Sequence, residues 1–187
     1  MIGLFLLMVL GDWWFLRDRA PAAGSPDLVA VFPFSFSGVG EPRFLRDGTV
    51  ELLSASLDGA GELRSVHPSA YLARMPRQGT APLDPGRARG WARRLGAELF
   101  VLGDIVATRD RVQISAALYD QNRSDAVAHS SVEGEAADLF QLVDRLAAEL
   151  IASRYGKPRE RLTRVAAVTT GSLLAFKAYL GGENAYR

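Results

Sequence analysis

A mixed α/β fold, one five-stranded sheet with helices packed on it, is the class this sequence predicts. Three observations lead there. A short apolar run near residue 29 is followed by a helical stripe and a second short strand, a crossover that favours a parallel pair. Two longer runs meet at Arg109-Asp110 in a hairpin pattern. A closing segment, 137–152, repeats leucines at helical steps. The predicted order is β-α-β-α-β-β-β-α.

The first strand is VAVF, Val29 to Phe32, and Pro33 follows it directly. Proline deletes a ladder donor, and Ser35, Ser37 and Gly38 come next. Pro33 is therefore expected to end the strand at its carboxyl edge. The Ser/Gly stretch would then carry the chain to a helix opening at Pro42, since proline suits a first helical turn. In that helix Phe44, Leu45, Leu52, Leu53 and Leu57 share one stripe with Gly48, and Gly59 stands where a C-terminal cap glycine belongs.

Glu62 to Val66 reads as a short strand, and the loop after it is rich in Pro, Gly and Arg. Arg87 to Gly96 predicts a short helix stopped by glycine. AELFVLGDIVAT and RVQISAALYD follow; in the second, Val112, Ile114, Ala116 and Leu118 alternate with polar or small residues. Ala126 to Gly134 gives a further strand. The closing helix carries Leu139, Leu142, Val143, Leu146, Leu150 and Ile151 on one face. Glu135 and Asp138 sit near its start, Arg154 in its last turn, and Gly156 and Pro158 beyond, in agreement with dipole and capping preferences. Leu142, Leu146 and Ile114 are expected to meet in the core.

The flanks differ from this domain, which is expected to span 28–155. Residues 1–16, MIGLFLLMVLGDWWFL, are almost wholly apolar and precede Arg17, Asp18 and Arg19. A spanning helix needs about 20 apolar residues. Trp13 and Trp14 beside Arg17 have the character of an interfacial belt. A membrane anchor or span remnant over 1–19 is the first expectation, with a signal peptide or a buried helix as alternatives. A linker is expected at 20–27 and another at 156–171. The last segment, 172–187, then predicts a helix with Leu173, Phe176, Tyr179 and Leu180 on one side, a candidate protein interface.

Composition removes several functions. The chain has no cysteine, so it has neither disulfides nor thiolate chemistry. His67 and His129 are its two histidines, and they stand in no metal-ligand spacing. Neither a metal nor another cofactor is expected. The net charge of +1 gives no overall pull toward nucleic acid, although it is unevenly spread. Residues 64–94 hold seven arginines against Asp84, whereas residues 95–155 hold five arginines against ten acidic groups. Arginine is 20 of the 22 basic residues throughout, which reads as compositional bias. No aromatic platform accompanies the basic stretch, so nucleic-acid binding is not the expectation.

The segment SFSGVGEPR does not read as a phosphate loop. It lacks the lysine of GxxxxGK[ST] and the third glycine of GxGxxG, and Glu41 would repel a phosphate. There is no GxSxG elbow either. No enzyme is predicted. A small ligand at the carboxyl edge, near Ser35, Ser37 and Glu41, stands as the alternative to protein binding.

In sequence the chain resembles the TolB-like amino-terminal domain that precedes tetratricopeptide repeats in bacterial signalling proteins. The similarity runs through VAVFPF (Val29 to Phe34) and FLRDGTVELLSASL (Phe44 to Leu57), and closes on ADLFQLVDRLAAELIA (Ala137 to Ala152). It is strongest in ARRLGAELFVLGDIVATRDRVQISAALYDQNRSD (Ala92 to Asp125). The resemblance implies a non-catalytic scaffold or sensory domain that binds protein partners. It further implies a repeat array beginning at 172–187 and association with serine/threonine kinase or adenylate cyclase modules. In the kinase arrangement a single membrane span comes first, which would put the domain outside the cytoplasm.

Overall fold

The first strand stops just before Pro33, but the chain then returns to the sheet. In the computed structural model, which describes residues 25–39, 42–60, 62–75, 81–155 and the single position 182, strand β1 (Ser25–Val31) pairs with β4 (Ala97–Ala107). Three residues later the chain resumes pairing with the same neighbour as β2 (Ser35–Gly38). Val31 lies opposite Val101 and Ser35 opposite Asp104, so one strand advances four residues while its partner advances three. The extra residue is a β-bulge.

Pro33 sits in this bulge at little cost, for a reason visible in the hydrogen bonds. Phe32 N–H donates to the Val101 carbonyl at 3.0 Å, so even-numbered residues here face β4. Odd-numbered ones face the other way: the Val29 carbonyl accepts from Val66 N–H, and the Val31 carbonyl accepts from the Tyr71 hydroxyl. β3 (Arg64–Ser65) is only two residues long and ends well below Pro33. The missing donor of Pro33 is therefore on a side where, among the described residues, no strand stands to receive it. Arg46 Nε secures the bulge by donating to the Phe34 carbonyl at 2.9 Å. The first strand thus ends before Pro33 as expected, but Ser35–Gly38 is not an exit loop: it rejoins the sheet, which among the described residues has six strand segments in place of five.

Helix α1 (Pro42–Leu57) crosses from β2 to β3. Gly59 takes φ +75 just beyond its end, the backbone that a C-terminal glycine is chosen for. A one-turn helix α2 (Ser69–Leu72) leads toward α3 (Pro85–Arg94). Asp84 caps α3 by accepting from Arg87 N–H at 3.0 Å. The hairpin is as the sequence predicts: β4 turns at Arg109-Asp110 into β5 (Arg111–Asp120), and β6 (Ala126–Glu135) pairs beyond it. A short 3-10 turn, Ala136–Asp138, opens onto α4 (Leu139–Tyr155). The sheet order is β3-β1-β4-β5-β6, with β2 also on β4, and it is parallel on one side of β4 and antiparallel on the other.

The two faces of this sheet are treated differently. One is closed by α1 and α4. Leu142, Leu146 and Ile114 are all buried there, with Phe34, Leu53, Leu99, Val101 and Leu118. The other face carries a smaller cluster in which α2 and α3 cover Ala30, Phe32 and Phe100. Tyr71 and Ala92 supply that cover from the helices. The segments expected as anchor, as second linker and as repeat helix fall outside the described residues, position 182 excepted. Among the described residues, no helix is long and apolar enough to cross a membrane.

Candidate functional site

Strand pairing brings four polar residues into one row. Ser35 on β2 lies opposite Asp104 on β4, Asp104 opposite Ser115 on β5, and Ser115 opposite Ser131 on β6. Directly paired residues point to the same side of a sheet, so the row crosses four strands on the face that α2 and α3 share. The adjacent row toward α3 is Leu102, Ala117 and His129. On the other side run Ser37, Val106, Gln113 and Glu133.

Helix α3 covers only the part of this face near Phe100, so the row lies open. It floors a groove of about 690 Å³ walled by Pro33, Pro82, Leu83 and Pro85. Ser115 and Ser131 hydroxyls lie 3.1 Å apart, and Gln113 Nε2 donates to Ser131 Oγ at 3.1 Å. At the rim Arg111 Nε meets Glu133 Oε1 at 2.7 Å. Tyr119 closes the α3 end, stacked on Phe100 at 5.2 Å between ring centroids.

Asp104 is the charged group of the row. Partial burial against the sheet pushes its carboxyl above the ordinary aspartate value. A raised folded-state pKa favours folding fully below the unfolded value, about 3.9 for aspartate, and that contribution is lost as pH rises through the raised value. Asp104→Asn removes this loss. Its melting temperature should therefore exceed that of the wild type by more at pH 7 than at pH 3, which calorimetry at the two pH values checks.

Of the residues expected at a ligand edge, Ser35 lies within the row. Ser37 is exposed on the neighbouring row beside Val106. Both are strand residues, not loop residues, because the bulge returns the chain to the sheet. Glu41 lies outside the described residues, as do Leu173, Phe176, Tyr179 and Leu180. Asp104, Ser115 and Ser131 escaped the sequence reading. The available signal was Asp104 itself, the lone charge within the apolar run LFVLGDIVA. Among the described residues, no cluster of His, Asp and Glu could hold a metal ion.

The architecture now permits comparison with known proteins. TolB from Acinetobacter baumannii superposes with a TM-score of 0.51 at 16% identity, over 75% of this chain and 31% of that one. The fold resembles that of TolB. At this identity the likeness is one of fold, and the chain spans about a third of the TolB chain's length. Two further structures align more loosely. The LpoB C-terminal domain from Salmonella enterica gives a TM-score of 0.48 at 13% identity, over 68% of this chain and 93% of that one. A PelC dodecamer subunit from Paraburkholderia phytofirmans gives 0.44 at 16%, over 71% and 94%. No protein-family model and no curated protein sequence matches the chain.

Proposed function

We propose that this domain is a non-catalytic scaffold that binds a protein partner across the open half of its sheet. The observation that carries the reading is the row Ser35, Asp104, Ser115 and Ser131, laid flat over four strands and flanked by prolines. Small-molecule sites commonly enclose 70–90% of their ligand. This groove is open rather than enclosed, and its polar row is set among apolar residues such as Leu102, Ala117 and Tyr119 that supply most of its surface, a character that suits an extended polypeptide better than a compact ligand. Serine hydroxyls give and accept hydrogen bonds, and Asp104 forms no ion pair among the described residues, so a basic side chain of the partner would pair with it.

Membrane attachment through 1–19, an extracytoplasmic position for the domain, a repeat array from 172–187 and a place in bacterial signalling belong to the same proposal. They rest on the sequence resemblance and on the apolar amino terminus. The second reading, a small-ligand sensor, draws on Ser35, which stands in both the expected ligand edge and the observed groove.

Photo-cross-linking in the native cell separates the two. A photoreactive residue at position 115 or 131 should give discrete protein adducts, and one at Ser153 on the exposed side of α4 should not. Adducts absent from 115 and 131, with a small molecule giving saturable thermal stabilisation that Asp104→Asn and Ser35→Ala abolish, would transfer the assignment to the sensor.

A further inference from the structure

The arginine-rich stretch is not used by the groove. Helix α3 turns Ala88 and Ala92 into the core and leaves Arg87, Arg93 and Arg94 exposed. Arg89 joins this helix to the β5–β6 turn, donating to the Arg123 carbonyl at 2.6 Å while its guanidinium lies over Phe100. That contact sets the exposed Arg123 beside the α3 ridge. Arg46, Arg111, Arg145 and Arg154 each reach a carbonyl or carboxylate. The side chains of Arg87, Arg93, Arg94 and Arg123 have no carboxylate partner among the described residues, and Arg94 rests on the Trp91 ring at 5.2 Å.

Neighbouring acids do little to cancel this charge. Asp84 caps the helix, Glu98 accepts from Asn122 at 3.1 Å, and Asp120 accepts from the Asn122 N–H and faces Arg154. Asp125 is the exposed exception. The helix dipole explains a preference for Arg93 and Arg94 in the last turn, but not Arg87 or Arg123.

The position of the ridge supplies the second observation. Helix α3 ends at Arg94, and two residues later β4 begins at Ala97, the residue opposite which β1 begins at Ser25. The 24 residues before Ser25, which include the apolar run 1–16 with Arg17 and Arg19, therefore join the fold beside the carboxyl end of α3. We infer that α3 lies against anionic lipid headgroups, its arginines setting how the domain stands on the membrane. The apolar side of α3 is spent on the protein core, so the contact is electrostatic, without insertion. Juxtamembrane arginines are drawn to an anionic surface, and salt screens that attraction. The inference takes its geometry from the membrane attachment proposed above, and the experiment keeps the two apart.

The chain has no cysteine, so one introduced thiol carries a unique label. The full chain is labelled with a fluorophore at Gly90→Cys, on the exposed side of α3, or at Asp110→Cys in the β4–β5 turn at the opposite pole. Each is mixed with vesicles of phosphatidylcholine alone or of phosphatidylcholine with phosphatidylglycerol, both carrying a nitroxide lipid quencher. The inference expects severalfold stronger quenching at position 90 with the anionic vesicles, none at position 110, and loss of the effect in high salt. It also expects loss in the Arg87→Gln, Arg93→Gln, Arg94→Gln triple variant, whose melting temperature stays near that of the wild type. Equal quenching in both vesicles, or none at position 90, overturns it, as does triple-variant-sensitive binding to duplex DNA without binding to anionic vesicles. Flotation with neutral vesicles reports the anchor separately. A chain that floats while the position 90 label senses no lipid keeps the attachment and loses this inference; the reverse pattern keeps the inference and loses the anchor.

Discussion

Phe34→Ala should destabilise the domain by about 3–5 kcal/mol, the usual cost of truncating a fully buried phenylalanine. Phe34 is 0% exposed and follows the proline of the bulge. Its ring lies on Gly103, where an added Cβ would come 2.2 Å from the ring and 2.4 Å from the Ser115 carbonyl oxygen. Gly103→Ala should accordingly cost about 1–3 kcal/mol through overpacking. The two effects are coupled. In the double variant the ring that the new methyl would strike is gone, so the total should fall below the sum of the single costs. Urea titrations of the four proteins measure this. Strict additivity would mean that Phe34 and Gly103 do not touch, and the bulge geometry would be wrong.

Leu146→Ala should cost about 2–5 kcal/mol. Leu146 is 0% exposed at the middle of α4, where that helix lies on β6 and against α1. A change below about 0.5 kcal/mol, the range of ordinary surface substitutions, would remove α4 from the closed face. The same side of the sheet should not tolerate a charge at Ile114, whereas its neighbour Ser115 points to the open groove.

Periodicity made much of this legible in advance. The leucines of α4, the alternation of β5 and the glycine after α1 all declare themselves locally, because each is a repeating pattern or a backbone requirement. The bulge was hidden because its tolerance for Pro33 depends on which side each donor faces. That is settled by β3 being too short to reach it. Burial on α1 also reaches beyond its leucine stripe, to Thr49, Ser54 and Ser56. Small polar residues carry no periodic signal, and their cover comes from distant elements: Asp144 of α4 accepts from the Ser56 hydroxyl at 3.1 Å, and Ser54 accepts from the Ser65 hydroxyl of β3 at 3.0 Å.

The candidate site was least visible for a similar reason. Ser35, Asp104, Ser115 and Ser131 are spread over almost 100 residues, and only the register of three strand pairs aligns them. Ser115 and Ser131 alone are ordinary polar residues of a strand, and neither Ser35 nor Asp104 points to the other in sequence. What the sequence did offer, Ser35 and Ser37 after an apolar run, pointed to the right strand through the wrong local structure.

Binding of a partner as proposed requires one half of one sheet face to be free. The rate at which single introduced thiols react in the isolated full chain tests this most directly. Ser115→Cys and Ser131→Cys should react with a water-soluble thiol reagent nearly as fast as an unstructured peptide thiol. Ile114→Cys, one residue away on the closed face, should react only through unfolding. Equal and strong protection at positions 114 and 115 would mean that the groove is already covered, and would contradict the scaffold surface proposed here.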